Sequence, residues 1–187
     1  MSITPEQLAV LMADLNPQRV KHRSQGGANL SYLEAWDVKA TLIRVFGFGG
    51  FSAEVIATEM LSKEKVEVGK DKKDGWAVAM SSTVRLTIHD TNAVYTETAV
   101  GSSTQPKLGE ALDMAQKTAS SDALKRAAIY LGTQFGLGLY DNGSTRDVIR
   151  RVFAEGQLWP TGEVDKLSPE QEKMLSESLG ATVVESA

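Results

Sequence analysis

The chain has 187 residues, 42% apolar and 24% charged, the ordinary make-up of one sizeable soluble domain rather than two. The absence of cysteine excludes disulfides, thiolate catalysis and cysteine-bound zinc, and two histidines cannot furnish a histidine-rich metal site. The net charge of −4 is unevenly placed: residues 151–187 hold three cations against seven anions, while residues 1–150 carry 17 of each, a balance that still permits a basic groove on one face.

Met1 to Gln7 lacks a cationic start and an apolar h-region, so no signal peptide is expected. No run of eighteen apolar residues suggests a membrane span, and a cytoplasmic protein is the simplest expectation. Thr4-Pro5-Glu6-Gln7 is a capping box with proline at the first helical position, predicting a short helix from about Pro5 to Asp14. Arg19 to Arg23 then leads into a polar, glycine-bearing loop at 24–29. Leu30 to Leu33 reads as a short strand, and Ala35 to Phe46 as an amphipathic helix closed by the glycines at 47, 49 and 50. Strands are expected at 51–62, 76–88 and 93–100, with His89 to Asn92 as a tight turn. The lysine- and aspartate-rich stretch Lys63 to Gly75 suits an exposed hairpin end.

Leu108 to Tyr140 reads as one long, alanine-rich helix broken by the glycines from Gly132 onward. Leu112, Ala115, Ala119, Ala123, Ala127 and Tyr130 recur at three- and four-residue steps and predict its buried face. Beside that face stand Lys117, Ser121, Lys125 and Arg126. Lys125 lies within about 80° of Lys117 and about 12 Å along the axis, which makes a cationic stripe able to follow a polyanion. Ser144 to Phe153 predicts one more helix with Val148, Ile149 and Val152 on its buried side. Leu167-Ser168-Pro169-Glu170 predicts a short acidic helix to about Leu179. The fold class is therefore α+β: an antiparallel β-meander with a long helix packed across it (a β-β-β-α core), preceded by a shorter helix and followed by short C-terminal helices.

Catalytic chemistry is not assembled. No glycine is followed by Lys-Ser or Lys-Thr as a phosphate-cradling loop requires, and the glycines at 47–50 stand between a helix and a strand, where they turn the chain. Asp71 and Asp74 fall in the charged hairpin end, where solvation is the default. No nucleophile, base and oxyanion donor come together, so no catalytic residue, metal or cofactor is expected, and the chain is read as a non-enzyme. Single strands of nucleic acid, by contrast, are held by cations along their phosphates and planar groups against their bases.

Asp122-Ala-Leu-Lys-Arg-Ala127, followed by Leu131-Gly132, Phe135-Gly136 and Leu139-Tyr140-Asp141, resembles the most characteristic segment of the Rad52/Rad22 family of single-strand annealing proteins. Upstream, Arg23-Ser-Gln-Gly26-Gly27 with Ser31-Tyr32-Leu33-Glu34 is similar to the family's arginine, glycine cluster and "Y-I-E" pattern. Phe46 to Phe51 is similar to its "F-G-[YF]-x-G-W" segment, with Phe51 where tryptophan is usual. Val84-Arg85-Leu86 and Glu97 to Gly101 fall in its central hairpin region, so the resemblance spans roughly residues 19 to 150 in order. It implies an ATP-independent protein that binds single-stranded DNA and anneals complementary strands in recombination and repair, as a homo-oligomeric ring or arc.

Carried over residue by residue, the resemblance implies an inner DNA groove. Arg23, Lys117 and Lys125 would lie on phosphates, Arg126 close to bases, Tyr32 at the groove floor, and Leu30 and Ser121 at smaller lining positions. Arg126 could instead pair with Asp122, four residues earlier. The chain departs from the family at Ile129, where a third cation is common, and in a glycine cluster one residue shorter. A basic residue at the end of the second central strand falls near His89, which with Lys107 would make a secondary DNA site. Residues 1–155 are expected to form the annealing and oligomerisation domain and residues 156–187 an acidic tail with a short helix. That tail could recruit a single-strand-binding protein or recombinase, and its brevity beside the extensions of larger members suggests a compact, phage-encoded type acting in the host-cell cytoplasm. The alternatives are a passive single-strand-binding module and an oligomeric scaffold without annealing activity.

Overall fold

The computed structural model describes residues 3–70 and 72–149. The expected helix near 167–179, the acidic tail and residues 150–153 of the helix expected at Ser144–Phe153 lie outside the described residues; residues 144–149 are not helical. Among the described residues no helix is long and apolar enough to cross a membrane.

Helix α1 (Pro5–Leu11) begins with the capping box its sequence specifies. The Thr4 hydroxyl accepts from the Gln7 amide at 3.2 Å, and the Gln7 side chain accepts from the Thr4 amide at 2.9 Å. It ends three residues earlier than expected, and the amide of buried Leu15 donates instead to the Thr145 carbonyl at 2.7 Å. The segment read as a loop is a hairpin: β1 (Lys21–Gln25) pairs antiparallel with β2 (Ala28–Tyr32). Gly26 and Gly27 make its two-residue turn, with φ of 59° and 84°, a conformation that glycine adopts without a Cβ penalty. Helix α2 (Ala35–Phe46) has the predicted limits and buries Val38, Leu42 and Phe46.

The main sheet is the predicted antiparallel meander in the order β3 (Phe51–Val68), β4 (Lys73–Ile88), β5 (Ala93–Gln105). The strands reach further than expected, because Lys63 to Val68 continue the ladder against Lys73 to Val78, with Gly69, Lys70 and Lys72 in the turn between them. Central β4 buries Val78, Val84, Leu86 and Ile88 at alternate positions, the period of a half-covered strand. Edge strand β3 is exposed along most of its length and carries bulges at Ile56 and Leu61.

Helix α3 (Leu108–Ile129) lies across β4 and β5. Ala111, Ala115, Ala119, Ala123 and Ala127 are all fully buried, a row of small side chains that lets the helix approach the strands closely. Gly101 shows how closely: a Cβ there would run into the Ala115 carbonyl oxygen and the Ala119 amide nitrogen. The row departs from the predicted face at both ends. Leu112 is only half-buried, and Tyr130, just beyond the helix, is exposed. The Tyr130 ring stacks on Tyr95 with centroids 5.3 Å apart, and its hydroxyl donates to Glu97 at 2.8 Å. That bond, with the negative charge behind it, raises the phenol above its ordinary range. The helix stops at Ile129 rather than running to Tyr140, and two 3-10 turns follow, Thr133–Phe135 and Leu137–Tyr140.

A buried polar clip joins these parts. The Arg19 guanidinium donates to both Asp37 carboxylate oxygens (2.9–3.1 Å), to the Thr41 hydroxyl (2.7 Å) and to the Gln134 side-chain and main-chain oxygens (2.8 and 2.9 Å). Gln134 in turn donates to the carbonyls of Ala13 and Asp14. The segment after α1, helix α2 and the turn after α3 are thereby fixed to one another, behind the cleft formed by the β1–β2 hairpin and α3.

Candidate nucleic-acid interface

The antiparallel register sets Arg23 opposite Leu30, and a two-residue step puts Tyr32 on the same face of the hairpin. That face meets the C-terminal half of α3. Between them lies a cleft of about 660 Å³ lined by Arg23, Leu30, Tyr32, Lys125 and Arg126, with Phe135, Leu139 and Tyr140 also in its wall. Five of the seven residues expected in a DNA groove are therefore brought together. Ser121 and Lys117 lie one and two turns back along α3 and do not line the cleft, because the hairpin reaches only the end of the helix. Lys117 is exposed and pairs with Asp113.

Within the cleft the Tyr32 ring carries two cations. The Arg23 guanidinium carbon lies 5.5 Å from the ring centroid and the Lys125 ammonium 5.8 Å, both within the range of cation–π attraction. The ring is half-buried and its π-face serves the cations, so Tyr32 is a support for charge. Lys125 also pairs with Asp122 at 2.7 Å, three residues earlier. Asp122 thus pairs with Lys125 rather than with Arg126, whose guanidinium donates to the Thr98 carbonyl at 3.3 Å and is otherwise exposed. Leu30, 39% exposed, offers apolar surface beside Arg23. The arrangement is a cleft with three cations at hand, a carboxylate restraining one of them, and an apolar residue and an aromatic rim.

Lys107 and His89 are not neighbours within the chain. Trp76 is paired with Gln105 and Ile88 with Ala93, so the two residues stand at opposite ends of the sheet, about a dozen strand residues or roughly 40 Å apart. His89 fastens the turn before β3: Nδ1 donates to the Gly49 carbonyl (2.8 Å), which leaves Nε2 to accept from the Ser52 hydroxyl (2.8 Å). Lys107 caps the start of α3 and pairs with Glu110 at 3.2 Å. The Trp76 ring, at the Lys107 end of the sheet, carries Lys63 and Lys65 at 5.9 and 5.6 Å, a second cation–aromatic cluster not anticipated from the sequence. Cross-strand pairing of Lys65 with Trp76 would have revealed it had the strands been extended that far. Among the described residues no group of three or more histidine, aspartate or glutamate side chains is placed to hold a metal ion.

Residues 5–156 match the Rad52/22 family of double-strand break repair proteins. Among characterised proteins, the chain is 29% identical over 151 residues to the DNA repair and recombination protein rti1 of Schizosaccharomyces pombe, covering 80% of this chain and 39% of that one. It is 31% identical over 142 residues to rad22 of the same yeast, covering 74% and 29%. To RAD52 of Saccharomyces cerevisiae it is 28% identical over 169 residues, covering 82% and 33%. The chain thus spans about two fifths or less of the length of these relatives, and the family match over residues 5–156 includes every residue of the cleft.

Proposed function

The chain belongs to the Rad52/22 family of double-strand break repair proteins, and we propose that its cleft binds single-stranded DNA and that the protein anneals complementary strands in recombination and repair. The observation that carries this reading is the Arg23–Tyr32–Lys125 stack with Arg126 beside it. The aromatic ring holds two cations at fixed positions over a concave surface, so phosphates find their counter-charges already placed. A strand gripped along its backbone keeps its Watson–Crick edges free for a second strand. Pairing supplies the free energy, so annealing needs no nucleotide hydrolysis and no cofactor.

One such cleft covers a few nucleotides, and affinity for a long strand comes from arraying many. Exposed edge strand β3, with Val55, Ile56, Met60 and Leu61 between 43% and 53% exposed, favours self-association. Among the described residues its far edge is unpaired, and head-to-tail contact between copies through such an edge builds a ring or arc. On this reading residues 1–155 bind, anneal and assemble, and the acidic residues 156–187 meet a protein partner such as a single-strand-binding protein or recombinase. Lys117 and Ser121 extend the path of the strand beyond the cleft, and Lys107 belongs to a secondary site.

Titrating a dye-labelled oligo-dT with the protein at several salt concentrations tests the reading. Binding that weakens steeply with salt supports it, and no binding at low salt excludes it, leaving an oligomeric scaffold.

A further inference from the structure

A single strand held by its phosphates still needs a planar surface for its bases. Three aromatic rings line the cleft: Tyr32, Phe135 and Tyr140. Phe135 is 2% exposed and belongs to the core. The Tyr32 ring is taken up by Arg23 and Lys125. Tyr140 is different: it is 75% exposed, and among the described residues its side chain has no hydrogen bond and no ring contact.

Its backbone, by contrast, is firmly held. Tyr140 ends the 3-10 turn Leu137–Tyr140, which is closed by bonds from the Leu139 amide to the Gly136 carbonyl (3.1 Å) and from the Asp141 amide to the Gly138 carbonyl (2.9 Å). Leu139 packs on the core, and Gly138 is buried so tightly that a Cβ would lie 2.8 Å from the Ser144 carbonyl oxygen. A large ring presented to water from a fixed turn, at the mouth of a cationic cleft, costs little conformational entropy to use.

We propose that Tyr140 is the base-stacking residue of this cleft, receiving an unpaired nucleobase on its ring while the phosphates run over Arg23, Lys125 and Arg126. The proposal rests on the single-strand-binding reading above and names the partner group it takes. Stacking on a bare ring is blind to base identity and uncharged, so Tyr140 adds affinity without sequence preference and without salt dependence.

The experiment compares the full chain with Tyr140→Ala, Tyr140→Phe and Lys125→Ala on two probes of equal length, oligo-dT and a fully abasic oligonucleotide. Tyr140→Ala is expected to lose about five- to a hundredfold in affinity for oligo-dT with an unchanged salt slope, and nothing on the abasic probe. Tyr140→Phe keeps the ring and is expected to match the parent chain. Lys125→Ala weakens binding of both probes. Equal losses by Tyr140→Ala on the two probes, or none on oligo-dT, would overturn the assignment while leaving the cationic cleft intact. A parent chain that binds neither probe at low salt would overturn both readings together.

Discussion

The Lys125 ammonium sits 5.8 Å from the centre of the Tyr32 ring and 2.7 Å from an oxygen of Asp122, held between an aromatic face and a carboxylate on its own helix. Lys125 is therefore placed before any strand arrives. Its side chain is only 25% exposed, and the hairpin that supplies Tyr32 also supplies Arg23, so one element organises both cations.

Removing those charges one at a time should be countable. For single strands, each neutralised phosphate contributes about 0.7 to the slope of log affinity against log salt. Lys125→Ala and Arg126→Ala should each flatten the slope by about that amount and weaken binding at low salt. Elution volume in size-exclusion chromatography should not change, since neither side chain lies on β3. Unaltered slopes in both variants would remove these residues from the strand's path.

Asp122 opposes the strand as well as restraining Lys125. Asp122→Asn keeps the helix and deletes one negative charge beside the phosphate path. For a partly exposed pair the effect is modest: affinity for oligo-dT at low salt should rise, by up to about fivefold, matching a pair worth at most about 1 kcal/mol. A fall in affinity would mean that the carboxylate matters chiefly for aiming the lysine.

Gly101 and Gly109 give opposite expectations for the same change. Gly101→Ala drives a methyl into the α3 backbone, which should cost about 1–3 kcal/mol and lower the melting temperature by about 2–4 °C per kcal/mol. Gly109 sits in the first turn of α3 with nothing within 4 Å of a Cβ, so Gly109→Ala should be neutral or stabilise by up to about 1 kcal/mol. Thermal unfolding followed by circular dichroism separates the two.

The edge of the sheet is where assembly should be vulnerable. Val55→Lys with Met60→Lys puts charge on exposed apolar positions of β3 and should shift the protein toward smaller species in light scattering. Folding should be spared, because both side chains already face water. An unchanged mass would move the subunit contact elsewhere.

The fold was legible wherever periodicity was strong. Helix α2 has its predicted limits, and the meander appears in its predicted order, because alternating apolar residues on β4 and the alanine row of α3 encode a buried face directly. Polar elements were harder to see. Lys21 to Gln25 lacks apolar alternation and is extended only through pairing with β2 across the Gly26–Gly27 turn. Lys63 to Val68 reads as solvated, yet its backbone ladder continues against β4. Of the candidate site, Arg23, Leu30, Tyr32, Lys125 and Arg126 converge in one cleft although the hairpin, ending at Tyr32, and the helix, beginning at Leu108, lie far apart in the sequence. Lys117 looked equivalent to Lys125 on a helical projection, which cannot show where along α3 the hairpin ends. Tyr140 read as helix, and its exposure follows from the two 3-10 turns that the glycines impose after Ile129.

Annealing kinetics show whether this cleft brings complementary strands together. Two complementary dye-labelled oligonucleotides are mixed with the full chain without nucleotide, and pairing is followed by energy transfer. Pairing well above the spontaneous rate, and returned toward that rate by Lys125→Ala, is the predicted result. Tight binding of both strands with pairing left at the spontaneous rate would contradict annealing by this cleft and leave a passive single-strand binder.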